Sequence, residues 1–343
     1  MVSPKAATTG DMRLSALDLV PVLEGETARE AMNHTVALAQ AAEGAGLTRL
    51  WLAEHHNAAG MACSSPELVI ARLGQATSRL RLGAGGIMLP NHSPLKVAET
   101  FRLLQAMYPG RIDLGLGRAP GTDPRTAAAL RRGLDVDGGT FPAQLHDLLG
   151  YLVADEVPRP PFHPSTVAIP TGISKPQLFV LSSSGFGAEV AAREGLGLAF
   201  AHHMNPGEAC AVLQRYREAF VPSGQLETPY AIVSVSAICA DSHADAEHLR
   251  LSGELAMLRF AQGRRDLPLP SSASAAEHDW TPDEQYLRAM FREAPVVGAI
   301  DEVATRLSQL ARDSGADELM LLTFVHDQEA RRASYRHLAQ ALA

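Results

Sequence analysis

The chain has 343 residues, of which 46% are hydrophobic, and its formal net charge is −8. This length suits one large α/β barrel or two ordinary domains. No block of lysine and arginine interrupts the acidic balance, so no nucleic-acid binding is expected, because that function needs cations to neutralise phosphates. The three cysteines are widely spaced and form no CxxC motif, which predicts a reducing, cytoplasmic location.

Neither a secretory leader nor a membrane span is predicted. Residues 1–12 lack a long apolar run and are expected to form a flexible N-terminal tail. No apolar stretch reaches the roughly 18 residues that a transmembrane helix requires. Residues 13–343 are expected to form a single barrel domain, on the pattern described next.

From residue 13 onward, short apolar strands alternate with amphipathic helices. The strand at 13–20 is followed by a helix at 27–46, with Thr27 as its N-cap and Glu30 at the capping-box position. The prolines of 157–164 exclude both helix and central strand. Further strands are predicted at 48–53, 80–86, 111–117, 178–181, 196–201, 230–240 and 318–323. Further helices are predicted at 66–77, 94–107, 126–132, 141–154, 185–194, 206–220, 242–261, 300–312 and 328–341.

Eight strands, each followed by a helix, predict an α/β fold of the (β/α)8 TIM-barrel type. The strands are mostly continuous apolar runs, as expected for parallel strands that are covered on both faces. A doubly wound open sheet is the competing fold. No GxGxxG motif follows the first strand, which weakens the dinucleotide-binding form of that competitor.

The polar stretch at 262–284 does not fit an ideal barrel. It is long and rich in small residues, so it is either a floppy surface insertion or a functional loop. It comes after the helix that follows the seventh strand, from where it would fold over the mouth of the barrel as a mobile lid.

Polar residues gather where the predicted strands end, which is where barrel enzymes carry their catalytic groups. The second strand ends in Glu54, His55 and His56, and the sixth ends in His202 and His203. Metal binding, acid–base chemistry and a simple exit into water are the alternatives for such residues. Neighbouring strand residues point to opposite faces, and neither H-x-H nor HExxH occurs, so no metal site is expected.

The fifth strand runs into Ser182, Ser183 and Ser184, just before a helix predicted to start at Gly185. Hydroxyls and free amide N–H groups at the positive end of a helix suit a phosphate, and an ordinary serine N-cap with a turn glycine is the alternative. Arg118, at the end of the fourth strand, would either supply a cation to the same phosphate or cap a carbonyl group.

Gly85 and Gly86 interrupt the apolar third strand. Glycine weakens a strand, so its presence there indicates the close approach of a ligand, a special backbone conformation or tight packing of the barrel.

Taken in this order, the motifs resemble those of the luciferase-like monooxygenases, which are flavin-dependent barrels. The resemblance extends from about residue 13 to residue 337. It is nearest to a single-chain bacterial subgroup, some of whose members tailor aromatic polyketides, so antibiotic biosynthesis is a candidate setting. It is carried by LSALDLVPV at 14–22, LWLAEHH at 50–56, GAGGIMLPNHSPLKVAE at 83–99, GRIDLGLGRAPGTD at 110–123 and LSSSGFGAEVAAREGLGLAFAHH at 181–203.

The resemblance implies that reduced FMN lies in the mouth of the barrel. His55 matches the catalytic histidine of the family, with Glu54 and His56 beside it. A non-proline cis peptide is implied between Gly85 and Gly86, under the flavin ring. The cofactor-binding residues that the resemblance implies are Gly85, Gly86, Arg118, Ser182, Ser183, Ser184, Gly185, Phe186 and His202.

The implied reaction is FMNH2- and O2-dependent monooxygenation of an organic substrate through a C4a-peroxyflavin, with the reduced flavin supplied by a separate reductase. An imidazole with a pKa near neutrality suits the proton transfers. The alternatives are a deazaflavin (F420) hydride-transfer enzyme and a non-catalytic flavin-binding protein. The resemblance also implies a homodimer, for which the helices at 66–77 and 94–107 offer fairly apolar surfaces.

Overall fold

Eight parallel strands close into a barrel in the computed structural model, which describes residues 12–131, 140–152 and 166–343. The last barrel strand, Glu318–Leu322, pairs with both Ala231–Ala240 and the first strand, Arg13–Asp18, and this pairing closes the ring. The predicted TIM barrel is therefore confirmed, and an open sheet is ruled out. The barrel strands are β1 (Arg13–Asp18), β2 (Arg49–Leu52), β3 (Arg81–Met88), β4 (Ile112–Gly117), β5 (Gln177–Ser182), β6 (Gly197–Ala201), β7 (Ala231–Ala240) and β9 (Glu318–Leu322).

Helices cover the outside of the ring. The predicted capping box of the first helix is present, because the Thr27 hydroxyl accepts the Glu30 N–H while the Glu30 carboxylate accepts the Thr27 N–H at 2.7 Å. The predicted tail, apart from Met12, and the proline-rich residues 157–164 lie outside the described residues. The helices are α1 (Ala28–Gly44), α2 (Pro66–Ala76), α3 (Pro94–Met107), α4 (Pro124–Arg131), α5 (Phe141–Leu152), α6 (Gly185–Arg193), α7 (Ala209–Glu218), α8 (His243–Ala261), α9 (Ser272–Ala276), α10 (Pro282–Glu293), α11 (Ile300–Ser314) and α12 (Gln328–Ala341).

A further strand, β8 (Val296–Ala299), is not predicted from the sequence. It pairs in parallel with Ala237–Ala240, the second half of β7, whereas the first half of β7 pairs with β6 and β9 in the ring. β7 is thus long enough to serve both the barrel and this outer pair. Four small apolar residues without a period do not distinguish a strand from a loop, which explains why the sequence does not reveal β8.

The 262–284 segment, expected as a long loop, contains α9 and the first turn of α10. Its backbone is bonded to the loop after β1, because the Leu269 N–H donates to the Val22 carbonyl at 2.8 Å and the Glu24 N–H donates to the Leu269 carbonyl at 2.9 Å. The segment is therefore structured and attached to the barrel. Its closing motion remains a prediction.

The inside of the ring is filled at mid-height by apolar side chains, including Trp51, Phe179, Ile232 and Met320. The Phe179 ring meets the Trp51 ring edge-on, with 5.0 Å between centroids. Such a plug makes the barrel a packed core rather than a pore. Ligands therefore reach only one end or the other.

Below this plug, at the amino ends of the strands, lies a basal network of Arg49, Arg81, Asp113, Tyr230 and Glu318. The Arg49 guanidinium binds the Asp113 carboxylate at 2.8 Å and the Glu318 carboxylate at 2.9 Å. Arg81 also binds Asp113, and the Tyr230 hydroxyl donates to Glu318 at 2.6 Å. Because the carboxylates are buried and matched by arginines, this end of the barrel is closed by structural ion pairs.

Candidate active site

The sequence-predicted site residues lie within or just after the carboxyl-terminal halves of parallel strands, so they lie towards one rim of the barrel. His55 follows β2, the Gly85–Gly86 pair lies in β3, Arg118 follows β4 and Ser183 follows β5. His55 and Ser183 therefore open onto the same end of the molecule. This is the rim at which TIM-barrel enzymes bind their substrates.

Glu54 is fully buried behind this rim and binds two imidazoles. Its carboxylate accepts from His56 Nε2 at 2.8 Å and from His92 Nε2 at 2.9 Å, and it also accepts the Met88 N–H at 2.9 Å. Burial alone would raise the pKa of Glu54, but these hydrogen bonds outweigh it and lower the pKa to about 2. Glu54 is thus a carboxylate that holds His56 and His92 in place.

The residue that faces the open space at the rim is His55. Its Nδ1 is buried and has no hydrogen-bond partner among the described residues, and its backbone N–H donates to the Cys63 carbonyl at 2.9 Å. Desolvation lowers the pKa of His55 and outweighs a hydrogen bond with the Ala53 backbone and the Glu54 charge, both of which raise it; the nearby Arg265 charge adds a smaller lowering. The imidazole is therefore neutral at pH 7, with a nitrogen available to a ligand.

A cavity of about 660 Å³ opens in front of His55. One side is formed by strand ends and the loops that follow them, and the other side is formed by α8, α10 and the start of the 262–284 segment. Its surface is mainly apolar, as is usual for small-molecule sites. Residues that represent this surface are Met61, Met204, Met257, Phe260, Leu269, Met290 and Phe324.

His203 lines this cavity, whereas His202, the residue chosen from the sequence, does not. The His203 Nδ1 lies 3.1 Å from the Ser234 carbonyl, which fixes the ring, and His202 keeps a buried Nδ1 without a partner among the described residues. Adjacent strand residues alternate between faces. Since β6 ends at Ala201, the sequence does not show which of the two imidazoles turns inward.

The serine turn between β5 and α6 has free donor groups. The Ser182 hydroxyl donates to the Ser184 carbonyl at 2.7 Å and accepts the Ser184 N–H at 3.2 Å. The hydroxyls of Ser183 and Ser184 have no protein partner within the described ranges, and Ser184 leaves the first turn of α6 uncapped by its side chain. Backbone N–H groups of α6 therefore remain available at the positive end of the helix dipole.

Two arginines lie beside this turn. The Arg118 guanidinium stacks on the Phe186 ring at 4.5 Å from its centroid. Arg215, which sequence reasoning missed, has its guanidinium about 3.9 Å from the point where a Cβ on Gly185 would lie. Both side chains are exposed, and no carboxylate in the described part of the chain pairs with Arg118. Arg215 is distant in sequence from the serines, so no local motif indicates it.

The Gly85–Gly86 peptide bond is cis, in agreement with the resemblance. A Cβ on Gly86 would lie 2.7 Å from the Gly115 carbonyl oxygen, and a Cβ on Gly85 would lie 2.9 Å from the Trp51 ring. Neither position has room for a side chain. The neighbouring strand and the Trp51 ring therefore fill the space that a Cβ would need, and the pair lies on the strand between the His55 strand and the serine turn.

Residues 12–318 match the profile of the family described as luciferase-like monooxygenase. The chain belongs to the luciferase-like monooxygenase family. This finding confirms the resemblance and assigns the protein to the flavin-dependent monooxygenases of this fold.

Individual relatives agree with the family. The chain is 41% identical over 328 residues to a luciferase-like monooxygenase of Escherichia coli K12, with 96% of each chain covered. It shares 36% identity and a TM-score of 0.87 with the crystal structure of apo-MsnO8, covering 96% of this chain and 98% of that one. The oxygenating constituent of the Pseudomonas putida 3,6-diketocamphane monooxygenase, a type II Baeyer–Villiger enzyme in complex with FMN, shares the fold (TM-score 0.70, 18% identity, 96% and 97% covered).

Two further findings concern the described residues alone. They contain no group of three or more His, Cys, Asp or Glu side chains that is arranged to hold a metal ion. None of their helices combines the length and the apolar character needed to cross a bilayer.

Proposed function

We propose that this monooxygenase uses reduced FMN and O2, that it receives the reduced flavin from a separate reductase, and that it oxygenates an organic small molecule in the cavity before His55. One observation carries the proposal. The same rim of the barrel has a serine turn with free hydrogen-bond donors, which can bind an anion, and a neutral, buried imidazole with an unpartnered nitrogen.

The residues at the rim fit FMN. The free hydroxyls of Ser183 and Ser184, the N–H groups at Gly185 and Phe186, and the Arg118 cation form a complete set of donors for a phosphate. The cis peptide of Gly85–Gly86, which carries no side chain, suits the close approach of a flat heterocycle. In this role Arg215 supplies a second cation to the phosphate.

Bound reduced FMN would supply the two electrons that activate O2, so that one oxygen atom of O2 passes to the substrate and the other leaves as water. The chain itself contributes proton handling, because a neutral imidazole at His55 holds or accepts a proton at Nδ1 next to the cavity. Glu54 positions this region by holding His56 and the Met88 backbone. The apolar cavity wall excludes water, which limits wasteful release of hydrogen peroxide.

An anaerobic titration tests the cofactor. FMN is reduced photochemically, bound to the protein, and then mixed with O2 while oxygen uptake and peroxide release are recorded; reduced F420 is treated in parallel. Saturable FMNH2 binding with oxygen chemistry that differs from that of free FMNH2 is expected. Hydride transfer from F420 would replace the proposal with the deazaflavin alternative, and binding that leaves the oxygen reaction of FMNH2 unchanged would indicate a non-catalytic carrier.

A homodimer through α2 and α3 is part of the proposal. Leu68 on α2 and Leu103 and Met107 on α3 are exposed by 71%, 53% and 46%, so these two neighbouring helices present large apolar side chains that a partner surface would bury. Leu103→Glu is expected to convert a dimer to a monomer in analytical ultracentrifugation, whereas Val221→Glu, an equally exposed apolar position elsewhere, leaves the mass unchanged. A monomeric unmodified protein would contradict this assembly.

A further inference from the structure

Charged side chains line the cavity before His55. They are four arginines (Arg250, Arg259, Arg264 and Arg265) and two glutamates, Glu254 and Glu293. Two further carboxylates, Glu247 and Asp266, pair with Arg250 and Arg264 from outside this lining. How these charges pair decides which arginine is free to attract an anion.

Three of these arginines have protein partners. Arg250 binds Glu247 at 2.8 Å and the Arg292 carbonyl at 2.7 Å, so it is occupied in joining α8 to α10. The exposed Arg264 lies 3.5 Å from Asp266, and Arg259 Nη1 lies 3.5 Å from the Pro268 carbonyl. The charges of Arg250 and Arg264 are therefore balanced by carboxylates, whereas Arg259 is held by a carbonyl oxygen.

Arg265 differs from the other three. No carboxylate or carbonyl group of the described residues binds its guanidinium, which instead stacks on the Phe260 ring at 4.7 Å from the centroid. Its main chain is fixed to the loop that follows the His55 strand end, since the Gly60 N–H donates to the Arg265 carbonyl at 3.3 Å. The cation is thus presented to the cavity from a defined position on the wall opposite the strand ends.

The surroundings of Arg265 are apolar. Phe260, Met61 and Leu267 line the same cavity, and apolar walls strengthen an ion pair by excluding water from it. A guanidinium binds a carboxylate, sulfonate or phosphate through two parallel hydrogen bonds, which also orients the ligand. A ligand that satisfies this site has an apolar body and one anionic group.

We propose that the substrate of this enzyme is an amphipathic organic anion, and that Arg265 binds its anionic group and so places the apolar body against His55. This inference rests on the proposed function, in that it names the substrate class of the same cavity. It makes Arg265 a specificity-determining residue that contacts the substrate and takes no part in the oxygen chemistry.

A matched pair of fluorescent probes tests the inference. The anionic probe is 8-anilinonaphthalene-1-sulfonate, and the neutral probe is its parent, N-phenyl-1-naphthylamine, which has the same aromatic body. The unmodified protein is expected to bind the sulfonate at least tenfold more tightly than the parent. Arg265→Gln should remove this preference by weakening sulfonate binding at least tenfold, with the affinity for the parent changed by less than twofold.

Arg264→Gln is the matched control, because it removes the same charge from the neighbouring residue, which already faces Asp266. It should weaken sulfonate binding by less than threefold, which separates a direct contact from the general field of the cavity. Equal affinities of the two probes in the unmodified protein, or an equal loss of both in Arg265→Gln, would overturn the inference.

The serine turn is the competing site for a sulfonate. If Arg118→Gln weakens the anionic probe and Arg265→Gln does not, the probe is bound at the serine turn and the inference is wrong. If Arg265→Gln weakens FMN binding instead, Arg265 serves the flavin, and the inference is again wrong. The probe titrations contain neither flavin nor O2, so their outcome is independent of the anaerobic titration that tests the proposed function.

Discussion

At the amino end of the barrel Arg49 binds both Asp113 and Glu318, whereas at the carboxyl end His55 keeps a buried nitrogen and Arg265 a cation that no described residue satisfies. Both ends bury titratable groups beside the same apolar plug. The two ends differ in whether these groups have hydrogen-bond and ion-pair partners within the protein. Charged groups that are paired within the protein stabilise the fold. Buried polar groups without a partner cost free energy, which a ligand that pairs with them would recover.

The largest effect is expected from breaking the basal network. Asp113→Asn leaves Arg49 and Arg81 with a buried neutral partner, and removing one member of a buried ion pair costs about 3–5 kcal/mol. Urea unfolding measures this loss. Glu329→Gln, at an exposed carboxylate that pairs with Arg332 and Arg336, is the control and should leave the midpoint unchanged. Equal midpoints for Asp113→Asn and the unmodified protein would show that the basal network does not stabilise the fold.

His55→Ala tests the other end of the barrel. Turnover should fall by about 10²–10⁴-fold, the usual contribution of a positioned acid–base group, with FMN affinity retained. His248→Ala, at an exposed histidine on α8, is the matched control and should keep full activity. Undiminished turnover in His55→Ala would remove the imidazole from the mechanism.

Arg118→Gln tests whether the serine turn at the carboxyl end of the barrel binds the phosphate of FMN. Hydrogen bonds to charged groups contribute about 1.5–3 kcal/mol, so FMN affinity should fall roughly 10–100-fold. Riboflavin, which lacks the phosphate, provides the control ligand and should bind both proteins equally. A parallel loss of riboflavin affinity would show that Arg118 supports the flavin ring or the local fold instead of the phosphate.

The smallest effect concerns pH and His92. Burial lowers the pKa of His92, but its hydrogen bond with Glu54 outweighs burial and raises the pKa above 6.5. A raised folded pKa gives a stabilisation that is complete below the unfolded value and is lost as pH rises through the folded value. The difference in unfolding free energy between the unmodified protein and His92→Gln should therefore shrink from pH 6 to pH 9, by about 1 kcal/mol or less. A constant difference would show that the proton on His92 is not involved.

The barrel is predictable from the sequence because its strands are continuous apolar runs punctuated by caps and glycines. The Thr27–Glu30 box is an example of a local signal that the structure reproduces. Among the elements that are not predicted, the strand β8 has no local sequence signal, and the helix α10 starts with a capping box, Thr281–Glu284, that lies within a polar stretch. Periodicity detects buried faces, and α10 buries no residue.

The candidate site is only partly predictable. Strand-end positions indicate His55 and the serine turn, because every parallel strand contributes to one rim. The choice between His202 and His203 depends on the turn after β6, and the pairing of Glu54 with His92 joins residues 38 positions apart. Arg215 and Arg265 enter through tertiary contacts alone, and no sequence spacing reports these.

Leu269 is hydrogen-bonded through its backbone to Val22 and Glu24, so the side of the 262–284 segment that faces the loop after β1 is held more firmly than the side formed by α10. Amide hydrogens in bonds like these exchange with deuterium only after the two segments separate. By contrast, α10 has no fully buried residue and is held to α8 by the partly buried Leu287 and Phe291 and by ion pairs of Arg288 and Arg292 with Glu254. Deuterium uptake should therefore be slow at Leu269 and fast along α10. A ligand would then enter the cavity from the α10 side, where the segment is held less firmly.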